Sequence, residues 1–353
     1  MTEQGHNAVE RLVNKEAGLY QPRTRKMWEG VNSSELQMYG IAALTAIGVA
    51  LLRKWLAGGA CRSKSLLHGK TVLITGANSG IGKETARDLA GRGARVIMAC
   101  RDLSRAERAA DEIRRSTGNR DVVVQHLDLA SLSSVRQFAK RYTRSEERLD
   151  VLINNAGVMM CPKSLTEDGF ETQLAVNHLG HFLLTTLLLE KLKSCVPSRV
   201  VTVSSMTHKG GKIHFEDINF NETPYNPLTS YRQSKLANIL FARELARRVK
   251  GSGVSSFSLH PGVIRTELGR HVGSRRPLLY CLLYLPAVLL LKTPREGAQT
   301  SVYCAVAEDL EKKSGCYFSD CTVKEPAPEG KDDLVALKLW ELSTQLVGYA
   351  KDK

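Results

Sequence analysis

The octapeptide TGANSGIG, residues 75–82, stands between an apolar run and an amphipathic helical pattern. Its glycines, Gly76, Gly80 and Gly82, allow a tight turn and a close approach of the backbone to a bound group. A helix that begins at such a loop directs its first N–H groups at a diphosphate. Glycine spacing alone is weak evidence, but a strand before the loop and a helix after it predict a dinucleotide-binding turn.

Short runs rich in β-branched residues alternate with amphipathic segments from Gly69 onward. Each run is almost continuously apolar, as expected for strands of a parallel sheet that is covered on both faces. This alternation predicts an α/β fold, a doubly wound parallel sheet of Rossmann-like type in a single domain. The runs are KTVLIT (70–75), ARVIMAC (94–100), DVVVQHL (121–127), DVLINN (150–155), RVVTVS (199–204) and GVSSFSLH (253–260).

The second of these runs ends in ACRD, residues 99–102, which bears on the choice of dinucleotide. A free ribose 2′-hydroxyl is usually bound by a carboxylate at this point, whereas a 2′-phosphate is bound by a cation. Cys100 stands where an acid could have been, and Arg101 can donate two parallel hydrogen bonds to a phosphate. Asp102 is better interpreted as a helix N-cap. The sequence therefore favours NADP(H) over NAD(H).

The pentapeptide YRQSK places Tyr231 four residues before Lys235. On a helix this spacing puts both side chains on one face, about one turn apart. The same spacing recurs in YAKDK at Tyr349 and Lys353, so the pattern alone does not identify a proton-transfer pair. YRQSK differs in its context, because it follows the VSS that ends a predicted strand and it opens a long helical pattern.

The order of the motifs TGANSGIG, LDL, NNAG, VNHLGHF, VSS, YRQSK and HPG resembles the short-chain dehydrogenase/reductase family over roughly residues 68–325. NNAGVMMCP, DGFETQLAVNHLGHFLLT and SYRQSKLAN resemble, more narrowly, its microsomal NADP-preferring retinol dehydrogenases. The resemblance implies that Tyr231 is the acid/base and Lys235 its partner. It further implies that Ser205, the second serine of VSS, donates to the carbonyl oxygen and that Asn177 organises a water-linked proton path.

The resemblance also assigns the residues expected to hold the cofactor. Asp128 would bind the adenine amino group, and Asn155 would pass beside the ribose. Pro261-Gly262, with Thr266 beyond, resembles the loop that closes over the nicotinamide end. The expected cofactor-binding residues are Gly76, Ser79, Gly80, Ile81, Gly82, Arg101, Asp128, Asn155, Tyr231, Lys235, Pro261, Gly262 and Thr266. No metal is expected, since His178 and His181 of NHLGHF are interpreted as packing residues.

The implied reaction is hydride transfer between nicotinamide C4 and a carbonyl carbon, with Tyr231 donating a proton to the oxygen. An unperturbed tyrosine has a pKa of about 10, and positive charge on Lys235 and on the oxidised nicotinamide is expected to lower it. The leading hypothesis is an NADP(H)-dependent retinol dehydrogenase or retinal reductase. The alternatives are a reductase of medium-chain or lipid-derived aldehydes and a non-catalytic dinucleotide-binding membrane protein. The complete acid/base set argues against the second.

Residues 36–52, LQMYGIAALTAIGVALL, form an uncharged stretch of 17 residues at the short end of what crosses a bilayer. Basic residues follow it without an acid until Glu84, whereas the preceding segment is mixed, so the main domain is expected on the cytosolic side. A buried core helix is the alternative. The expected location is the membrane of the endoplasmic reticulum, with the mitochondrial membrane second, because five glutamates in the leader are unlike a transit peptide.

A second apolar run, PLLYCLLYLPAVLLL at 277–291, is broken by Pro286 and is too short to span comfortably. An apolar lid or a segment that dips into the lipid interface is one interpretation, and a core helix pair is the other. Thr293-Pro294-Arg295-Glu296 is a capping box that predicts a helix through about Ala307. Residues 332–349 predict a C-terminal helix.

The chain has 353 residues and a net charge of +14, from 50 basic and 36 acidic side chains. This excess suits an anionic ligand or a membrane surface, and the scattered basic residues argue against nucleic acid. Eight cysteines without a CxxC pair are interpreted as free thiols. The expected partners are a small apolar substrate and membrane lipid, and self-association into a homo-oligomer is compatible with the sequence. The expected divisions are an extension (1–35), an anchor helix (36–57), the Rossmann domain (68–325) and a C-terminal helix and tail (326–353).

Overall fold

The computed structural model of the chain describes residues 32–264 and 291–349. The chain divides into two compact units, with the boundary between Trp55 and Leu56. The described ranges leave out residues 1–31 of the leader, the loop residue Thr266 and residues 277–290 of the second apolar run.

Helix α1, Ser33–Ala57, contains the predicted anchor. Within the described ranges, Ser34–Ala57 is the one helix that is long and apolar enough to cross a membrane, judged by length and composition. The helix begins a few residues before the uncharged stretch, since Asn32 accepts a hydrogen bond from the backbone N–H of Glu35 at its start.

An eight-stranded sheet forms the centre of the second unit, in the order β3-β2-β1-β4-β5-β6-β7-β8. All neighbouring strands are parallel except β7 and β8, which are antiparallel. The strands are β1 Thr71–Thr75, β2 Arg95–Cys100, β3 Val122–His126, β4 Val151–Asn154, β5 Ser198–Val203, β6 Val254–His260, β7 Tyr317–Ser319 and β8 Thr322–Lys324. The strand order reverses between β1 and β4, and at such a point ligands bind beyond the carboxyl ends of the strands.

Helices cover both faces of the sheet. They are α2 Gly80–Gly91, α3 Leu103–Thr117, α4 Leu132–Ser145, α5 Gly180–Lys193, α6 Pro227–Arg248, α7 Pro294–Val306 and α8 Asp333–Leu346. Alternate residues of β1 belong to the two hydrophobic clusters that result: Leu73 packs with α4, α5 and α6, whereas Val72 and Ile74 pack with α2, α3 and α7. The doubly wound α/β sheet predicted from the alternating pattern is therefore confirmed.

The six predicted strands are all present, but the sequence argument missed the hairpin of β7 and β8. Each of its strands has three residues, which is too few for a periodic pattern to appear. Asp320 and Cys321 form its turn with φ of 52° and 57°, where glycine or asparagine is the usual signal. The predicted capping box of α7 is present, with reciprocal bonds between Thr293 and Glu296.

Helix α8 packs along α6 and closes that side of the molecule. The ring of Trp340 lies 4.9 Å from that of Phe182 on α5 and is stacked at 5.8 Å on Phe241 of α6. The Arg248 guanidinium lies 4.5 Å from the centre of the Trp340 ring on its outer side. Trp340 of α8 thus forms an aromatic cover over the two helices α5 and α6.

Helix α5 is preceded by two irregular turns, a short α-helical turn at Thr172–Leu174 and a π-helical turn at Ala175–Leu179. In the π-helical turn the backbone N–H of Gly180 donates to the carbonyl of Ala175, five residues earlier. Single π-helical turns are often found at functional sites. Asn177 lies in the middle of this one.

Candidate active site

The glycine loop has the conformation that its sequence predicts. Gly76 and Gly80 have φ of 64° and 55°, in the left-handed region that favours glycine. A Cβ atom on Gly82 would lie 2.5 Å from both Asn155 Nδ2 and the Gly76 carbonyl oxygen. Ser79 caps helix α2 without a side-chain hydrogen bond, so its hydroxyl leaves the first N–H groups of the helix open. The loop therefore fits a diphosphate at the helix N-terminus, with Ile81 half-buried behind it.

The loop after β4 is fixed to the end of β1 by one hydroxyl group. The backbone N–H groups of Asn155 and Ala156 donate to Thr75 Oγ1 at 2.9 and 3.0 Å. The Asn155 amide donates in turn to the carbonyl oxygens of Thr75 and Gly76. The two loops that flank the crevice between β1 and β4 are thereby held together.

The end of β2 provides a cation and no free acid. The Cys100 thiol is buried against the backbone N–H groups of Ala77 and Asn78, and burial raises its pKa to about 11. Asp102 accepts a hydrogen bond from the backbone N–H of Arg105 at 2.9 Å, which confirms that it caps helix α3. Arg101 is exposed and has no ion pair with any residue that the structure describes.

Asp128 lies just after β3 and is half-buried. Its Oδ1 atom accepts a hydrogen bond from the backbone N–H of Ala130 at 2.9 Å, and its own N–H donates to Ser134 Oγ. These bonds fix the orientation of the carboxylate at the carboxyl end of the sheet. The second carboxylate oxygen forms no hydrogen bond within the described part of the chain and can accept one from a ligand.

Tyr231 and Lys235 lie in the second and third turns of helix α6, which Asn226 caps ahead of Pro227. Both side chains are 3% exposed, and Lys235 Nζ lies 5.7 Å from the centre of the tyrosine ring. The ammonium group donates to the Val203 carbonyl at 3.3 Å. The helical pair expected from YRQSK is therefore present as a buried pair at the end of β5.

Burial dominates the electrostatics of this pair. Burial raises the pKa of Tyr231 to about 12, and a hydrogen bond with Ser205 only partly offsets that rise. Burial also lowers the pKa of Lys235 to about 8. The protein thus keeps Tyr231 protonated at neutral pH, because the loss of hydration outweighs the hydrogen bond with Ser205.

The two serines after β5 have different environments. Ser205 is half-buried and shares a hydrogen bond with the Tyr231 hydroxyl. Ser204 is 2% exposed, and its hydroxyl donates to the backbone carbonyl of Lys235 at 2.6 Å. The structure therefore brings Ser205 to the tyrosine and uses Ser204 to fix the helix that carries the lysine.

Asn177 connects these groups to the loop after β4. Its Oδ1 atom accepts from the backbone N–H of Val158 at 2.8 Å. Its Nδ2 atom donates to the Val158 carbonyl at 3.0 Å and to Ser234 Oγ at 2.9 Å. A Cβ atom on Gly157 would lie 3.1 Å from Asn177 Oδ1 and 3.3 Å from Lys235 Nζ, so these three residues are in close contact.

The two histidines of NHLGHF are fully buried and point to different parts of the molecule. His178 lies among the aromatic rings of Phe182 and Phe241, and its Nε2 atom is 2.9 Å from Ser343 Oγ of helix α8. His181 instead lies between Thr75 and Asn177. From the sequence, both are expected to be packing residues, and the one sequence signal for His181 is its place four residues after Asn177.

Beyond β6, Gly262 has φ of 96°, and its backbone N–H donates to His260 Nδ1 at 3.0 Å. Pro261 is buried at the start of this turn. Ile264 and Lys292 then pair in a parallel β-bridge across the undescribed segment. The Pro261-Gly262 turn therefore lies at the carboxyl end of the sheet, as expected, while Thr266 lies outside the described residues.

A family model for the short chain dehydrogenases matches residues 70–277. The chain belongs to the short-chain dehydrogenase family. Retinol dehydrogenase 13 from Homo sapiens is 54% identical over 306 residues, which cover 86% of this chain and 92% of that relative. An uncharacterised protein from Mycobacterium paratuberculosis has a solved structure with a TM-score of 0.66 and 41% identity, covering 82% of this chain and 98% of that one.

A further solved structure, a short chain dehydrogenase from Escherichia coli complexed with NADPH, has a TM-score of 0.57 and 25% identity, covering 73% of this chain and 99% of that one. As a short-chain dehydrogenase, the protein is an oxidoreductase with a fold that binds a nicotinamide dinucleotide. The crevice between β1 and β4, with its glycine loop, is where this family's fold places such a cofactor. The buried tyrosine, lysine, serine and asparagine described above lie at the same end of the sheet.

Proposed function

We propose that this short-chain dehydrogenase interconverts a retinoid aldehyde and the corresponding alcohol with NADP(H) as its cofactor. The observation that carries the proposal is the convergence of Asn177, Ser205, Tyr231 and Lys235 beside the glycine loop. The high identity to a retinol dehydrogenase over most of both chains supports the retinoid as substrate.

The preference for NADP(H) rests on the end of β2. Asp102 is occupied as a helix cap, and the buried Cys100 thiol offers no charge, so no carboxylate there is free to bind a ribose 2′-hydroxyl. Arg101 is exposed at the same point, with its guanidinium available for a 2′-phosphate. We assign Asp128 to the adenine, Asn155 to the ribose side, and Pro261-Gly262 to the nicotinamide end.

We assign the acid/base role to Tyr231. Its raised pKa keeps the phenol protonated at neutral pH, which suits donation of a proton to a carbonyl oxygen. The Ser205 hydroxyl, bonded to the phenol, supplies a second donor for the developing oxyanion. Lys235 lies close enough to stabilise the phenolate that remains. The nicotinamide, when bound, supplies or accepts the hydride.

We further propose that helix α1 anchors the enzyme in the membrane of the endoplasmic reticulum, with the catalytic unit in the cytosol. Arg53 and Lys54 at the end of the helix, followed by Arg62 and Lys64, support this orientation. We retain the division into an extension (1–35), an anchor, a Rossmann domain (68–325) and a C-terminal segment (326–353). Apolar retinoids partition into lipid, so an anchored enzyme would have its substrate nearby.

The test is NADPH oxidation by membranes that contain the full chain, with all-trans-retinal as substrate. Retinol should form with NADPH, far more slowly with NADH, and not with a Tyr231→Phe variant. Short aliphatic aldehydes serve as a second substrate class. Turnover of these without turnover of retinal would remove the retinoid and leave a reductase of medium-chain or lipid-derived aldehydes.

A further inference from the structure

His181 is buried at the start of helix α5 and bonds to Asn177 in the π-helical turn and to Thr75 at the end of β1. It is 1% exposed. Its Nδ1 atom lies 3.1 Å from the backbone carbonyl oxygen of Asn177, and its Nε2 atom lies 2.8 Å from Thr75 Oγ1. The imidazole thus links the π-helical turn that carries Asn177 to the strand that leads into the glycine loop.

The hydrogen bonds fix the tautomer of this ring. A carbonyl oxygen only accepts, so Nδ1 carries the proton and donates to Asn177. Nε2 is then the acceptor for the Thr75 hydroxyl. Burial lowers the pKa of His181 to about 4, so the ring is neutral at pH 7 and both roles are fixed. Thr75 Oγ1 in turn accepts from the N–H groups of Asn155 and Ala156, which extends the chain of bonds to the loop after β4.

The side-chain amide of Asn177 is held by the loop after β4 and by helix α6, and His181 holds its backbone. Both hydrogens of its amide are used, by the Val158 carbonyl and Ser234 Oγ, and its amide oxygen accepts from the Val158 N–H. An amide oxygen has two lone pairs, so Asn177 Oδ1 can accept one more hydrogen bond while His181 fixes the backbone that carries it. Because His181 bonds to the backbone of the π-helical turn, it fixes the position from which the Asn177 side chain extends.

We propose that His181 is a positioning residue with two separable functions: its Nδ1 side fixes the turn that carries Asn177 for proton transfer, and its Nε2 side, through Thr75, orients the Asn155 loop for cofactor binding. The first function rests on the proposed reaction, and the second does not. The histidine contacts neither reacting atom. It acts through the two groups to which it bonds.

Two substitutions separate the functions, because asparagine reproduces the position of Nδ1 and glutamine that of Nε2. His181→Asn should keep the bond to Asn177 and lose the one to Thr75. We expect its Kd for NADPH, measured by fluorescence without substrate, to rise about fivefold, as for one lost hydrogen bond, with kcat nearly unchanged. His181→Gln should keep the bond to Thr75. We expect its kcat to fall about 10- to 100-fold while the Kd stays within about twofold.

The matched control is His178→Asn, which changes a buried histidine on the same turn that bonds to Ser343 instead. It should lower the thermal stability and leave the Kd and kcat of the folded enzyme unchanged. Equal losses in both His181 variants, or no loss in either, would overturn the proposal. If the wild type binds NADPH but reduces no aldehyde, the proposed function fails. In that case, a higher Kd for NADPH in His181→Asn than in His181→Gln would still support the function that acts through Thr75. Equal Kd values would overturn it.

Discussion

Replacement of Gly82 by alanine tests whether the glycine loop is built by close backbone contact. In an ordinary helix this change stabilises by up to about 1 kcal/mol. Here the new Cβ would lie 2.5 Å from the Gly76 carbonyl oxygen and from Asn155 Nδ2. Overpacking of this kind costs about 1–3 kcal/mol, and displacing the Asn155 amide endangers its bonds to Thr75 and Gly76, at about 1 kcal/mol each. An overpacking cost of about 2 kcal/mol and one lost bond, less the helical gain, give a net loss of about 2 kcal/mol.

Gly91→Ala is the matched control, because Gly91 is the last residue of the same helix, α2. A Cβ atom there would meet only Thr117 Cγ2, at 3.8 Å, which is ordinary contact. Urea unfolding of the full-length chain in detergent should show Gly82→Ala about 2 kcal/mol less stable and Gly91→Ala unchanged or slightly more stable. If the displaced loop carries the loss, the Kd for NADPH of Gly82→Ala should rise about 30-fold.

The close contact between the two loops would be disproved if Gly82→Ala bound NADPH and unfolded like the wild type. It would also be refuted if both alanine variants lost stability equally, since the effect would then come from helix α2 in general and not from the contact between the loops.

Three further predictions concern the proposed catalytic residues and the cofactor. Tyr231→Phe should bind NADPH normally and lower kcat by about 10²–10⁴-fold, and normal turnover by this variant would remove the assigned acid/base. Arg101→Ala should raise the KM for NADPH at least about tenfold and leave that for NADH unchanged, so that equal changes in both KM values would contradict the assigned 2′-phosphate contact. Lys235→Met should change the pH dependence of stability. Burial lowers the pKa of Lys235 to about 8 in the folded chain. Between pH 8 and 10 the lysine is therefore more protonated in the unfolded chain than in the folded one. The free energy of unfolding of the wild type should therefore rise relative to the variant by up to about 3 kcal/mol across that window, and parallel unfolding curves would disprove it.

The sequence predicted the sheet and the glycine loop because both have local signals. Continuous apolar runs mark strands that are buried on two faces, and the glycines mark a conformation that other residues avoid. The pairing of Tyr231 with Lys235 also followed from spacing on a helix. The hairpin of β7 and β8 had no such signal, since its strands are short and its turn uses Asp320 and Cys321 in place of glycine.

Other features depend on contacts between distant segments. Thr75 and His181 are 106 positions apart, and no spacing rule connects them. The burial that raises the pKa of Tyr231 is also invisible in the sequence, which shows the nearby lysine but not the degree of burial. The lowering expected from Lys235 and the oxidised nicotinamide stays a prediction. Ser205 could be chosen from its place in VSS. The structure was needed to show why Ser204 is excluded: its hydroxyl donates to the backbone carbonyl of Lys235.

The aromatic cover formed by Trp340 has a consequence for inherited truncations. A stop codon after Lys331 would leave every residue of the glycine loop and the proposed catalytic group in place, yet it would remove helix α8 from Phe182 and Phe241. The truncation also removes Leu339, which is 2% exposed, and loss of one buried leucine side chain from a core costs about 2–5 kcal/mol, a large part of the stability of most domains. Such an allele should therefore reduce the amount of protein in the cell, through degradation, before any defect in chemistry could be observed.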